Sequence, residues 1–280
     1  MVFLKRFVLP TVQEEETGNL FPHEYPYGIF PYKKLREVVF GDITVFYGGN
    51  GSGKTTLLNL IAQKLNLPRQ TPYNSSSFFL PYVQDKCSFE KNDDIPYGSK
   101  IITSDDIFQY IIHVRDDNIR IGKEKQKQEE EYDQAKYSPI RFRSLGDYEQ
   151  LKKQNDARGH TKRKFVSSRT EDYIDMFSNG ETALAYFDRQ FASNALYLLD
   201  EPENSLSPDF QMQLAKLVLQ CVFYCGCQFV IATHSPFLLS LQDARVYDLD
   251  CVPAAEKKWY ELDGMKQYYA LFKKNEQFFQ

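Results

Sequence analysis

Long apolar runs are missing from this 280-residue chain. A membrane-crossing helix needs about 20 predominantly apolar residues, and no stretch comes close, so no membrane span is expected. Residues 1–10 alternate apolar and basic side chains and lack the apolar centre of a secretory signal; a cytoplasmic protein is expected. A dominant charge sign is missing as well. Lys and Arg number 34 against 38 Asp and Glu, for a net charge of −4, which excludes a global nucleic-acid-binding signature and leaves only a local patch. Cysteines are few and odd in number: Cys87, Cys221, Cys225, Cys227 and Cys251. A chain of this size needs no disulfide staples. Three thiols crowd into Cys221–Cys227, but no His or second Cys pair stands at zinc-ligand spacing, so buried reduced thiols are expected. The composition that remains, 42% hydrophobic and 26% charged, is that of an ordinary globular protein. The length suits one large α/β domain, or one domain with a sizeable insertion.

The apolar pattern changes along the chain. Residues 1–9 read as a strand, followed by a Pro- and Gly-punctuated stretch rich in Tyr and Phe up to Pro31. Val38–Phe40 and Ile43–Tyr47 are short β-type runs separated by Gly41-Asp42, a hairpin signal. Lys54–Leu65 reads as a helix ended by Asn66 and Pro68. Pro68–Gly98 reads as loop-rich, with a strand-like patch at Phe78–Val83. A helix begins at Ser104, with acids in its first turn and a helical period at Ile107, Tyr110, Ile111 and Val114. Lys123–Lys136 is charged without an apolar stripe and reads as a solvated helix or a linker. From Ser178 onward strands and helices alternate: strand Ala195–Leu199, helix Pro208–Tyr224, strand Gln228–Ala232, helix Pro236–Leu241 and strand Ala244–Leu249. That rhythm argues for a parallel sheet. The last twenty residues, aromatic and charged, read as helical.

Three segments carry chemistry. Gly48-Gly49-Asn50-Gly51-Ser52-Gly53-Lys54-Thr55 fits the phosphate-loop pattern in full. Its glycines let backbone amides turn toward an anion, and it opens a helix whose N-terminus favours negative charge. Gly48, Asn50, Gly51, Ser52, Gly53, Lys54, Thr55 and Thr56 are the candidate nucleotide-binding residues. Lys54 is aimed at the β- and γ-phosphates, and Thr55 at Mg²⁺. The second segment, Ala195–Glu201, is an apolar strand ending in two acids, at the strand end where open α/β sheets bind ligands. Asp200 would hold Mg²⁺, largely through water, and Glu201 would orient and deprotonate the attacking water. The third is Thr233-His234-Ser235, after the next strand, from which His234 would reach the γ-phosphate.

Loop, Asp200-Glu201-Pro202 and His234 in this order resemble the ABC-type ATPases. The resemblance implies a P-loop α/β fold with a mostly parallel sheet flanked by helices, an N-terminal antiparallel β subdomain and an inserted helical lobe at about 85–177. It also implies ATP and Mg²⁺ as ligands. Phe177-Ser178-Asn179-Gly180-Glu181 resembles the family's signature segment, with Asn and Glu as departures. By that resemblance Ser178 and Gly180 bind the γ-phosphate held by a second copy, in an ATP-dependent homodimer. Glu203–Pro208 resembles the family's dimer-contacting loop. Gln84 is the candidate for the metal-contacting glutamine expected at the start of the helical lobe. Tyr25, Tyr27 and Tyr32 are candidates to stack on the base. Glu-Pro-Glu-Asn-Ser-Leu-Ser-Pro and Thr-His-Ser-Pro-Phe-Leu-Leu are most similar to the stand-alone ATPases of the SMC, RecF and OLD kind. Such a resemblance implies ATP-driven dimerisation near DNA or in antiviral defence, often beside an effector protein.

No sustained heptads fill the insertion, so a long coiled-coil arm is excluded. The insertion does hold a basic stretch, 141–169, comprising Arg141, Arg143, Lys152, Lys153, Arg158, Lys162, Arg163, Lys164 and Arg169, only partly offset by Asp147, Glu149 and Asp156. It is either a nucleic-acid contact working through counterion release or a solvated helical face. A nucleotide-gated binding module with negligible hydrolysis and a soluble ATPase subunit of a transporter remain as alternatives to an ATPase.

Overall fold

The computed structural model describes residues 2–17, 24–137, 148–174, 178–204 and 206–279. The sequence readings that fall on Arg141, Arg143, Asp147, Phe177 and Ser205 lie outside them. The chain forms two compact units, one of Met1–Phe108 with Asn179–Gln280, the other of Gln109–Ser178.

The strands of the first unit are β1 (Leu4–Val8), β2 (Glu37–Val39), β3 (Ile43–Tyr47), β4 (Ser88–Lys91), β5 (Lys100–Thr103), β6 (Leu196–Asp200), β7 (Gln228–Ala232), β8 (Arg245–Asp248) and β9 (Ala255–Lys257). They form a three-stranded antiparallel sheet, β2-β1-β4, and a six-stranded sheet, β5-β6-β7-β3-β8-β9, parallel except for β9. All five residues of β6 and of β7 are buried. Strands apolar on both faces belong in the middle of a parallel sheet covered by helices, whereas one-sided strands alternate.

The helices are α1 (Val12–Glu16), α2 (Ile29–Tyr32), α3 (Lys54–Lys64), α4 (Phe79–Lys86), α5 (Ser104–Tyr137), α6 (Tyr148–Gly159), α7 (Lys162–Ser167), α8 (Asn179–Gln190), α9 (Pro208–Cys225), α10 (Pro236–Leu239) and α11 (Asp263–Lys274). Helix α3 is buried over most of its length. Its Leu57, Leu58 and Ile61 share one core with Phe7 and Val38 of the small sheet and with Phe46, Leu198 and Val230 of the large one. Two buried side chains tie the sheets together: Tyr247 of β8, whose hydroxyl accepts from Val39 N–H at 3.0 Å and donates to Val39 O at 3.1 Å, and Gln228. Gln228 Oε1 accepts from the N–H groups of Phe3 and Leu4, both at 2.9 Å, and its Nε2 donates to Leu4 O at 2.9 Å and Gly41 O at 3.0 Å.

Two sequence expectations are corrected. Gly41-Asp42 does not close a hairpin: β2 pairs with β1, while β3 lies between β7 and β8. The apolar run of β3 demands cover on both faces, so the chain crosses from one sheet to the other at Gly41. Phe78–Val83 is not a strand but the start of α4. Phe79, Tyr82 and Val83 are buried, which is an i, i+3, i+4 face, and Pro81 sits in the first turn, where no N–H is needed. The charged stretch Lys123–Lys136 continues α5, a helix of 34 residues, and is not solvated all round, since Tyr132 is buried and Ala135 packs beside it.

The second unit consists of α5 beyond Phe108, α6 and α7. Tyr132, Ala157 and Phe165 form its small core, with Ala135 packed on it. Asn118 pairs with the backbone of Ile174 in both directions at 2.9 Å. This unit starts later than the expected lobe, since β4 and β5 belong to the sheets of the first. Cys87, Cys221 and Cys227 are buried, and all five cysteines are free thiols. Among the described residues no helix is long and apolar enough to cross a membrane.

Candidate functional site

Strand β3 delivers the chain to Gly48, and α3 begins at Lys54, so the loop spans a strand end and a helix start. Two of its glycines are required by geometry. A Cβ on Gly48 would lie 2.6 Å from Ser52 Oγ, and Gly53, the residue capping α3, has φ +94° with Ile29 packed 3.0 Å from where a Cβ would be. Asn50 and Gly51 are exposed, while Ser52 and Thr56 are buried.

Lys54 is 4% exposed. Its ammonium donates to Gly48 O at 2.7 Å and Gly49 O at 3.2 Å, and lies 2.8 Å from His234 Nε2 and 3.8 Å from Glu201 Oε1. Burial lowers its pKa, against the pull of Glu201 and Asp200. Thr55 Oγ1 donates to Asp200 Oδ1 at 3.0 Å. Burial pushes the Asp200 carboxyl up to about 6; the Thr55 bond opposes the shift and the Glu201 charge adds to it. Glu201 follows β6 with a left-handed φ of 48°, a conformation that costs a side chain of this size on the order of 1–2 kcal/mol. Asn204 Nδ2 donates to its Oε2 at 3.0 Å. His234 Nε2 lies 3.5 Å from Glu201 Oε1. Thus Lys54, Thr55, Asp200, Glu201 and His234 converge from the ends of β3, β6 and β7.

A groove of about 830 Å³ runs from Thr55 and Asp200 past Thr56, Asn59 and Tyr25 to Arg69 and Tyr73. Arg69 Nη1 donates to Asn59 Oδ1 at 2.8 Å and Nε to Thr71 O at 2.6 Å, with its guanidinium 4.4 Å above the Tyr73 ring. Of the three candidate tyrosines, Tyr25 lines this groove, its hydroxyl 3.2 Å from Thr56 Oγ1. Tyr27 packs edge-on against Tyr82, and Tyr32 is exposed. Gln84 is not brought there. It is exposed on α4, where its carbonyl accepts from Lys64 Nζ at 2.9 Å. At the exit of β5 the groove is lined instead by Thr103, Ser104 and Asp105. Ser178 is exposed and precedes α8. Gly180 is buried in the first turn of that helix, where a Cβ would meet the Phe210 ring of α9 at 2.4 Å.

Sequence reasoning missed Arg69 and also Asp250, whose Oδ2 accepts from the Gly49 N–H at 2.7 Å. Asp250 stands just past β8 at the carboxyl edge of the sheet, the position at which ligand-side residues gather; that was its available signal.

The site fits a Mg²⁺-triphosphate on its own features. Ser52 Oγ is buried with no partner, Lys54 holds only carbonyls and neighbouring side chains, and Thr55 with Asp200 offers hard oxygen donors. Among the described residues no group of three or more His, Cys, Asp and Glu is placed to hold a metal, and Mg²⁺ needs few protein ligands when phosphates and water supply the rest.

A family model described as "AAA domain, putative AbiEii toxin, Type IV TA system" matches residues 43–174 and 167–240. The chain belongs to this family. The match covers the phosphate loop, the β6 acids and His234 of this AAA domain and ends before Asp250 and α11. No curated protein is similar enough to count as a match. Solved structures similar to this AAA domain include the Smc head domain of Pyrococcus furiosus with an extended coiled coil, bound to the C-terminal domain of ScpA. It is 12% identical over 97% of this chain and 100% of that one, with a TM-score of 0.43. Another is cbiO1 of Clostridium perfringens, part of the ABC transporter complex cbiONQ, 16% identical over 96% of this chain and 94% of that one, also with a TM-score of 0.43.

Proposed function

We propose that this AAA-family chain is an ATPase of the ABC type that binds ATP with Mg²⁺ along Gly48–Thr56 and hydrolyses it as a dimer of two copies. The carrying observation is the convergence of one ammonium, two carboxylates, one hydroxyl and one imidazole, Lys54 to His234 at 2.8 Å and Thr55 to Asp200 at 3.0 Å. Lys54 would turn from the carbonyls of Gly48 and Gly49 to the β- and γ-phosphates, and Tyr25 would contact the base. Thr55 and Asp200 would hold Mg²⁺, which would supply neutralisation of the phosphate charge. Glu201 accepts a proton from the water that attacks the γ-phosphorus; the new P–O bond forms as the bond to ADP breaks, and His234 donates to the γ-phosphate. Positioning and charge stabilisation supply most of the rate in such a transfer. Ser178 and Gly180 of the second copy would complete the site. The family's description names a toxin of a type IV TA system, and in keeping with it we place ATP turnover in a defence complex with an effector partner.

The test is Glu201→Gln. With Mg-ATP it binds nucleotide, loses phosphate release by about 100-fold or more, and runs at twice the 32.7 kDa mass of one chain. A variant that stays monomeric at saturating Mg-ATP rules out the sandwich. A variant that releases phosphate at the unaltered rate removes Glu201 as the base.

A further inference from the structure

Beyond Asp200 and Ala232 the ladder between β6 and β7 ends, and Glu201 N–H to Ala232 O at 2.9 Å is its last rung. From there one chain turns toward α9 and the other toward α10, so nothing in the sheet holds the loop of Glu201 against the loop of His234. Glu203 does. Its Oε1 accepts from Thr233 Oγ1 at 2.6 Å, from His234 N–H at 2.6 Å and from Ser235 N–H at 3.2 Å. Its other oxygen is buried without a partner. The same turn is bound back to Glu201 by Asn204, through N–H to Glu201 O at 3.1 Å and Nδ2 to Glu201 Oε2. The far side of the His234 loop is fixed too: Thr233 is fully buried and Ser235 Oγ donates to Gln211 Oε1 at 2.7 Å.

We propose that Glu203 is a positioning residue: its carboxylate holds the main chain of His234 in register with Glu201, and thereby keeps the imidazole 3.5 Å from the Glu201 carboxylate. The inference rests on the ATPase reading only for its kinetic consequence. Two of the three donors are backbone amides and none belongs to the imidazole ring, so what matters is an acceptor in the right place rather than a charge near the ring. A glutamine side-chain oxygen meets the same need; an alanine leaves the His234 loop without its clasp. The loop would then sample positions in which His234 no longer faces the γ-phosphate, and a misplacement on the order of 1 Å costs about 100-fold in rate.

The experiment uses the full chain with ¹³C-labelled histidine. The chain has four histidines, and His234→Gln identifies the His234 ring signal. Without nucleotide, Glu203→Ala shifts or broadens that signal and leaves the other three in place, while Glu203→Gln leaves all four. With Mg-ATP, Glu203→Ala lowers kcat by about 100-fold with KM within about 3-fold, and Glu203→Gln stays within about 3-fold of the unaltered chain. Thr233→Val, which keeps the carboxylate but removes the donor to it and also the acceptor of the Ser235 N–H at 2.9 Å, moves the His234 signal in the same direction by less and serves if Glu203→Ala does not fold. An unmoved His234 signal in Glu203→Ala and Thr233→Val overturns the proposal. So does a Glu203→Gln as damaged as Glu203→Ala, since the charge would then be the essential property. A chain that releases no phosphate at all defeats the ATPase reading, while the nucleotide-free spectra still decide the role of Glu203.

Discussion

Asp200→Asn should make the nucleotide-free protein more stable. Asp200 is 8% exposed at the end of β6, and burial holds its carboxyl at about 6 in place of 3.8. Between those values the folded chain keeps a proton that the unfolded chain has lost, so stability falls as pH rises through the window and the whole penalty is present above it. At about 1.36 kcal/mol per pH unit, the penalty reaches about 3 kcal/mol. Asparagine has the same shape, and its Oδ1 can still accept from Thr55 Oγ1. Part of the gain is lost to hydrating or pairing its amide, leaving a net of about 1–3 kcal/mol. At about 2–4 °C per kcal/mol for a domain of this size, Tm rises by about 2–12 °C. The assay is thermal unfolding of both proteins in chelator, without nucleotide, at pH 8 and pH 4. The gain appears at pH 8 and shrinks toward zero at pH 4, where the unaltered carboxyl is protonated. A variant no more stable at pH 8, or one whose advantage is undiminished at pH 4, refutes the reasoning. On the proposed function, adding Mg-ATP reverses the order, because the charge that burdens the site without nucleotide would be the one to hold the metal.

Lys54→Ala raises the Kd for ATP by about 10–100-fold, the worth of charge-assisted hydrogen bonds, as measured by titration calorimetry. Gly180→Ala drives a Cβ into the Phe210 ring and costs about 1–3 kcal/mol by overpacking, seen as a lower Tm without nucleotide. A salt-dependent DNA-binding curve tests the stretch 141–169. Lys162 is already held by Asp133 at 2.7 Å and Glu129 at 3.8 Å, whereas Arg163 and Lys164 are exposed. If the stretch is a DNA contact, the Arg163→Ala, Lys164→Ala double variant lowers the salt slope by about two and Lys162→Ala leaves it; unchanged binding in the double variant removes this patch as a contact.

The parts of the chain that could be read in advance are those whose residues fix their own conformation. The phosphate loop is one, since glycines, a lysine and a hydroxyl at set spacing admit few structures. The apolar pentads of β6 and β7 are others, because five buried residues in a row have no solvent face to offer. What escaped depends on partners far along the chain. Whether Val38–Phe40 turns back on Ile43–Tyr47 is decided by β1 and β7 competing for them, not by Gly41-Asp42. Phe78–Val83 is apolar enough for either period, and only the core above α3 selects the helix. Glu203 was read as part of a dimer-contacting loop, and its bonds to residues 233–235 appear only once β6 and β7 lie side by side. Asp250 is likewise invisible until β8 is set beside β3.

Gln228 also constrains the order of assembly. It supplies the acceptor for the N–H groups of Phe3 and Leu4, some 225 positions earlier in the chain. On a ribosome adding about 5–20 residues per second, β1 emerges many seconds before that amide exists. Until then its backbone must stay hydrated or find another partner. The small sheet can close early through β2 and β4, but Gln228 can bind it to the large one only after residue 228 appears, and the Tyr247 contact to Val39 follows later still with β8.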